Sequence, residues 1–230
     1  MSDDRVLGVD ACKAGWVGVA LDGASTEAYV AADIATLVSL ADRDDALAAV
    51  AIDMPIGLPD HGPRQADVLA RAAIGSLWSS VFKTPVRDAL LAKDHATANA
   101  VSRRLTGTGV SIQAFGLKAK LLDVQAFIQE GQHRIIEVHP EVSFARLAGK
   151  PLTTRKSTWA GMQQRRRLLT SVGIELDQDF GIAGARAGVD DMLDAAVAAW
   201  TARRYVAGEA CSLPDPPETF TDGLHSAIWA

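Results

Sequence analysis

Cysteine is scarce: Cys12 and Cys211 are the only 2 in 230 residues, far apart and without a Cys-x-x-Cys spacing. That excludes a disulfide framework or a zinc ribbon and agrees with a reducing compartment. Cationic excess is missing too, since 23 Lys and Arg face 28 Asp and Glu for a net charge of −5. No global field therefore draws the chain to nucleic acid or to an anionic membrane, and a basic surface has to be local. No window approaches the roughly 18 uninterrupted apolar residues of a membrane span. The opening Met1-Ser2-Asp3-Asp4-Arg5 lacks the charged-then-apolar pattern of a signal segment. A soluble cytoplasmic protein without a membrane partner is the expectation. Gly-x-x-x-x-Gly-Lys-Ser/Thr and Gly-x-Ser-x-Gly are absent, and no Gly-x-Gly-x-x-Gly follows a strand. A P-loop, a nucleophile elbow and a dinucleotide fingerprint are thereby set aside. There is no internal repeat and no low-complexity tract.

What the chain does have is apolar content, 48% of residues, enough to bury a sizeable core. The length fits one α/β domain over 1–230 with a mostly helical insertion at about 57–130. Val6 to Leu21 reads as a β-hairpin whose first strand ends in Asp10 and whose turn spans Cys12 to Gly15. Glu27 to Ala32 resembles a third strand, and residues 34–41 a helix capped by Asp33. Ala46 to Ile52 is a buried strand stopped by Asp53 and the prolines at 55 and 59. His133 to Glu141 is a further strand containing Glu137 and ended by Pro140. Helices are expected over 157–172 and from Gly188 to Trp200, and the tail around Pro214 to Glu218 as an extended segment or turn.

The acids carry the chemistry. Asp10 and Asp53 close apolar strands, Glu137 lies within one, and Asp194 sits a full turn into an alanine-rich helix. An ionised carboxylate against apolar surroundings is costly unless paired or bound to a metal. Asp10 alone could accept N–H bonds in its own turn, and Asp190 or Asp191 could simply complement a helix N-terminus. As a set drawn from separated parts of the chain, they are explained by a doubly charged cation, which reverses the repulsion between crowded carboxylates. With no His/Cys cluster at ligand spacing, hard Mg²⁺ or Mn²⁺ is favoured over zinc. The insertion is locally basic, and Lys13 lies beside Asp10. Lys13, Arg64, Lys83, Arg87 and His139 are the expected substrate contacts. Among the tryptophans, Trp16 and Trp200 have spacings of core residues.

The order of these elements and acids is similar to the ribonuclease H-like superfamily, and Asp191-Met192-Leu193-Asp194-Ala195 resembles the terminal helix of Holliday-junction resolvases. More closely, Gly8-Val9-Asp10 with Gly15-Trp16, Ile52-Asp53-Met54-Pro55-Ile56-Gly57-Leu58-Pro59, Ser80-Val81-Phe82 with Thr84-Pro85-Val86-Arg87, Gln113-Ala114-Phe115, Glu137-Val138-His139-Pro140-Glu141 and Asp190 to Ala195 resemble the domain-of-unknown-function 429 family, described as predicted ribonuclease H-like nucleases. The resemblance implies a mixed sheet of three antiparallel strands followed by parallel ones, flanked by helices. It also implies a metal-dependent nuclease acting on DNA or RNA. The expected catalytic set is Asp10, Asp53, Glu137, Asp191 and Asp194, with Asp10, Asp53, Glu137 and Asp194 holding one or two Mg²⁺ or Mn²⁺ ions. No organic cofactor is expected, and assembly into a homo-oligomer stays open. Two other readings remain: a relative of the actin-like phosphotransferases, and a non-catalytic binding protein that keeps the fold.

Overall fold

The computed structural model describes residues 4–43 and 46–230. Residues 1–3 of the opening segment, expected to carry no targeting signal, lie outside the described residues. Among the described residues, seven strands form one mixed sheet in the order β3-β2-β1-β4-β5-β7-β6. β1 (Arg5–Cys12), β2 (Gly15–Asp22) and β3 (Ser25–Ala31) are successive antiparallel neighbours. β4 (Leu47–Ile52) runs parallel to β1, β5 (Ile135–Val138) parallel to β4, and β7 (His225–Trp229) parallel to β5. β6 (Ser212–Thr219) pairs antiparallel with β7 and forms the edge.

The hairpin, the third strand and the helix α1 (Ile34–Ala41) follow the sequence expectation closely. Asp33 caps α1 by accepting from the Thr36 amide at 2.8 Å. The stretch between β4 and β5 is helical: α2 (Gln65–Ala73), a short 3-10 helix (Gly75–Ser80), α3 (Arg87–Leu91), α4 (His95–Thr106), α5 (Ile112–Gly116) and α6 (Lys118–Gln129). Beyond β5 come α7 (Pro140–Ala148), α8 (Trp159–Thr170), α9 (Gly181–Arg186) and α10 (Val189–Val206). Pro140 does not simply end a strand. It opens α7, at a first-turn position where the missing N–H has no intrahelical role to lose. The proline-rich tail is the edge strand β6, and prolines are tolerated there because an edge strand leaves some N–H groups unpaired in any case. Among the described residues, no helix is long and apolar enough to cross a membrane.

The sheet separates two apolar layers. Val6, Val17, Val19, Ala49, Ala51, Ile136 and Val138 pack with α10, α7 and α8, whereas Leu7, Val9, Val50 and Ile52 pack with α1 and α6 on the other face. This is the period-two alternation of strands made visible. Trp16 is fully buried in the second layer, as its spacing predicts, and donates its indole N–H to Asp123 at 2.7 Å.

One glycine determines how closely α10 approaches the sheet. A Cβ on Gly8 would lie 2.1 Å from both the Ala195 carbonyl oxygen and the Ala199 backbone nitrogen, so α10 crosses β1 with backbone against backbone. The small side chains of Ala195, Ala196, Ala198, Ala199 and Ala202, all fully buried, permit the same approach from the helix side. Gly8→Ala is therefore expected to lower unfolding stability by about 3 kcal/mol. Urea denaturation followed by far-UV circular dichroism reads this directly; an unchanged midpoint would mean that the helix can move off the strand freely.

Candidate metal centre

Asp10 and Asp53 are brought together by the β1–β4 register. Val9 pairs with Ile52, and the Asp53 amide donates to the Val9 carbonyl at 2.9 Å, so the two acids stand side by side at the ends of parallel strands. Alternation places both on the α10 face, in line with Val6 and Gly8 on one strand and with Ala49 and Ala51 on the other. The close crossing at Gly8 then lowers Asp194 of α10 onto the same spot. Asp10, Asp53 and Asp194 each offer a carboxylate oxygen, and these oxygens lie within 4.8 Å of one another.

The electrostatics of this triad are strained. Burial, reinforced by Asp53 and Asp194, pushes the Asp10 carboxyl well above its ordinary value. Burial and then Asp194 push Asp53 up to about 8. Asp194 is pushed up to about 6 by burial, even though Lys156 opposes the shift. Asp10 Oδ1 accepts from the Ala11 amide at 2.7 Å, and Asp194 Oδ2 is paired with the Lys156 ammonium. Asp194 Oδ1 is buried and has no hydrogen-bond partner among the described residues. On Lys156, burial lowers the affinity for its proton, but Asp194, Asp10 and Asp53 outweigh it and hold the ammonium above its usual value. At neutral pH the Asp194–Lys156 pair is therefore ionic. An orphaned oxygen in a cluster of three acids is the arrangement a hard cation relieves, so these residues fit Mg²⁺ or Mn²⁺.

The other expected residues are placed differently. Glu137 pairs in register with Ile52, whose side chain belongs to the layer opposite α10, while its neighbours Ile136 and Val138 face α10. Glu137 accordingly meets Arg64: Oε1 accepts from Nη2 at 2.6 Å, and Oε2 accepts from Nη1 at 2.8 Å and from the Ile56 amide at 2.7 Å. It is not among the three converging acids. Asp191 accepts from the Gly188 amide at 3.1 Å and so caps α10, and Asp190 reaches Lys156 at 4.0 Å. Arg64, expected to touch substrate, is fully buried and cannot. Its guanidinium also binds Asp67 at 2.7 Å and the Ile56 carbonyl at 3.0 Å. Burial opposes its charge, yet Glu137 and Asp67 hold it above its ordinary value. Arg87 is engaged by Asp222 at 2.5 Å. Lys13 is exposed in the hairpin turn, and Lys83 lines a separate cleft formed by the helices between β4 and β5. His139 lines the cleft beside the acids, where burial pushes it down to about 4 and keeps it neutral.

That cleft, of roughly 630 Å³, has Asp53 and Asp194 on its floor. Ser76, Ser79 and Ser80 of the 3-10 helix line it, as do Thr153, Arg155, Lys156 and Ser157 from the loop between α7 and α8. Lys156 is the functional candidate that sequence reasoning missed. It lies in an irregular loop with no periodicity, and nothing local signals its partner 38 residues later. Arg165 was likewise invisible as a structural group; fully buried, it holds Glu141 through contacts of 2.6 and 2.7 Å.

Fold and site together define an α/β protein that gathers three acids, from two strand ends and a helix, two of which, Asp53 and Asp194, line a cleft. The chain belongs to the family described as "Protein of unknown function (DUF429)", whose model matches residues 8–219. No curated protein and no solved structure matches it.

Proposed function

We propose that this protein is a divalent-metal-dependent nuclease in which Asp10, Asp53 and Asp194 hold Mg²⁺ or Mn²⁺ and the cleft takes a phosphodiester of DNA or RNA. The observation that carries the reading is the meeting of three carboxylates within 4.8 Å, one of them with a buried oxygen that no donor among the described residues reaches. Crowded, desolvated acids of this kind are costly unless a cation resolves them. An all-oxygen donor set suits a hard ion. The ribonuclease H-like reading of the fold is supported by the order β3-β2-β1-β4-β5, antiparallel across β1 to β3 and parallel from β1 to β5, with acids at the ends of β1 and β4. The pair β7-β6 is an addition beyond β5.

When bound, such an ion supplies Lewis-acid stabilisation of the charge that develops on a phosphoryl oxygen. The chain's own residues supply the rest. Asp10 and Asp53, fixed on hydrogen-bonded neighbouring strands, and Asp194, fixed by the α10 crossing, set the donor geometry without further rearrangement. The hydroxyls of Ser76 and Ser79 and the guanidinium of Arg155 line the cleft and can donate to non-bridging phosphate oxygens. His139, held neutral at pH 7 by burial, lines the cleft as a polar wall group and resists taking up a proton.

The test is to incubate the purified protein with single-stranded DNA, duplex DNA, RNA and a hybrid, in Mn²⁺, Mg²⁺ or EDTA. Metal-dependent cleavage of at least one substrate, lost on Asp10→Asn, is the expected result. If no substrate is cut and Mn²⁺ binding does not depend on Asp10, the reading is overturned. Should Asp10→Asn alter only stability or partner binding, with no turnover to lose, the chain is a non-catalytic binding protein.

A further inference from the structure

Glu137, Glu141 and Asp194 each pair with a cation, and the three pairs differ in how firmly that cation is held. Arg64 on Glu137 and Arg165 on Glu141 are fully buried. Each has further anchors: Arg64 donates to Asp67 and the Ile56 carbonyl, and Arg165 to the Thr154 and Gly161 carbonyls. Removing either would strand several buried groups at once. Lys156 on Asp194 is different. Its side chain is 39% exposed, and among the described residues the other acid within ion-pair reach is Asp190, at 4.0 Å. It is a single ammonium on a flexible stem, carried by a loop between α7 and α8 rather than by a helix, and it lines the open cleft.

We infer that Lys156 is an exchangeable counter-ion: it occupies the acid pocket through Asp194 Oδ2 when no divalent ion is bound, and it must give way when one binds. The inference rests on the metal reading proposed above and adds to it how entry of the ion is controlled. Asp194 Oδ1, buried and unpartnered, is left as the point where an incoming ion first gains a ligand. An ammonium and a dication sharing one carboxylate repel each other, and at the separations of this pocket the repulsion weakens metal binding by about tenfold or more. The exposure of Lys156 gives it somewhere to go: the ammonium can rotate into the cleft beside Arg155 and Ser157 and remain solvated. A lysine acting as structural glue behaves oppositely, because its removal loosens the pocket and weakens the metal.

The experiment compares Mn²⁺ binding by titration calorimetry at pH 7.5 for the wild type, Lys156→Met and Lys156→Arg, with the fold of each checked by circular dichroism. Lys156→Met is expected to bind Mn²⁺ about tenfold more tightly, and Lys156→Arg, which keeps the charge, to stay near the wild type. In EDTA, Lys156→Met should melt below the wild type because the acids lose their counter-ion, and added Mn²⁺ should raise its melting temperature by more than it raises that of the wild type. Equal or weaker Mn²⁺ binding by Lys156→Met overturns the counter-ion role and leaves the metal reading standing. Absence of Mn²⁺ binding by wild type and variants alike overturns both.

Discussion

Asp53→Asn should abolish divalent-ion binding and metal-dependent cleavage, and at the same time make the metal-free protein more stable. On the proposed nuclease reading, the loss of activity, on the order of a thousandfold or more, would follow from removing one of three ligands to an ion that carries the transition-state charge. The gain in stability follows from the same crowding. Asp53, pushed up to about 8, and Asp194, pushed up to about 6, hold their protons in the folded chain at pH values where the unfolded chain has released them. An acid with a raised folded-state pKa contributes stability that is complete below its unfolded value and is lost as pH climbs to the folded one. Between about pH 4 and pH 6.5 the raised Asp194 and the lowered His139 act in opposite directions, and from there to pH 8 metal-free wild type should melt at progressively lower temperature because Asp53 must give up its proton. Asp53→Asn should flatten the fall between about pH 6.5 and pH 8, worth on the order of 2 kcal/mol. Saturating Mn²⁺ should flatten it in the wild type as well. Melting curves in EDTA and in Mn²⁺ decide the matter; a melting temperature that rises between about pH 6.5 and pH 8 in EDTA would contradict the triad's electrostatics.

The second large effect concerns a residue with no part in the chemistry. Arg64→Met should destabilise the protein by about 3 to 5 kcal/mol, because it leaves the buried carboxylates of Glu137 and Asp67 without their counter-charge. The guanidinium ties β5 to the start of α2 and, through Ser226 at 3.2 Å, to β7. The double variant Arg64→Met with Glu137→Gln should recover a good part of the loss, since one of the stranded charges is then removed. A surface phosphate contact would show the reverse pattern, with substrate affinity reduced, a steeper effect at low salt and unfolding unchanged. Chemical denaturation of the two variants separates these outcomes.

Asp10 and Asp53 could be read from the sequence because each is a charged residue closing an apolar strand, a placement that needs a partner. Asp194 was visible for a related reason: it lies past the helix cap, in a run of alanines that pack on all sides. Glu137 shows where such reading stops. Which face of a sheet a strand residue occupies depends on register with its neighbour, and Glu137 pairs with Ile52 rather than with Asp53. That one-residue difference sends it to the other layer. Arg64 looked like a surface cation because it precedes a helix, while its partner lies 73 residues away. Lys156 carried no signal at all, since loops have no period from which to infer a facing residue. The β6–β7 pair was hidden in part by its prolines, which argue against a strand everywhere except at a sheet edge.

The most direct measurement of the central claim is a Mn²⁺ titration at neutral pH, followed by electron paramagnetic resonance, of the wild type and of Asp10→Asn, Asp53→Asn and Asp194→Asn. The account predicts saturable binding in the wild type, abolished or weakened by at least about a hundredfold in each variant. Binding that is equal in all four proteins, or absent from the wild type, would contradict it.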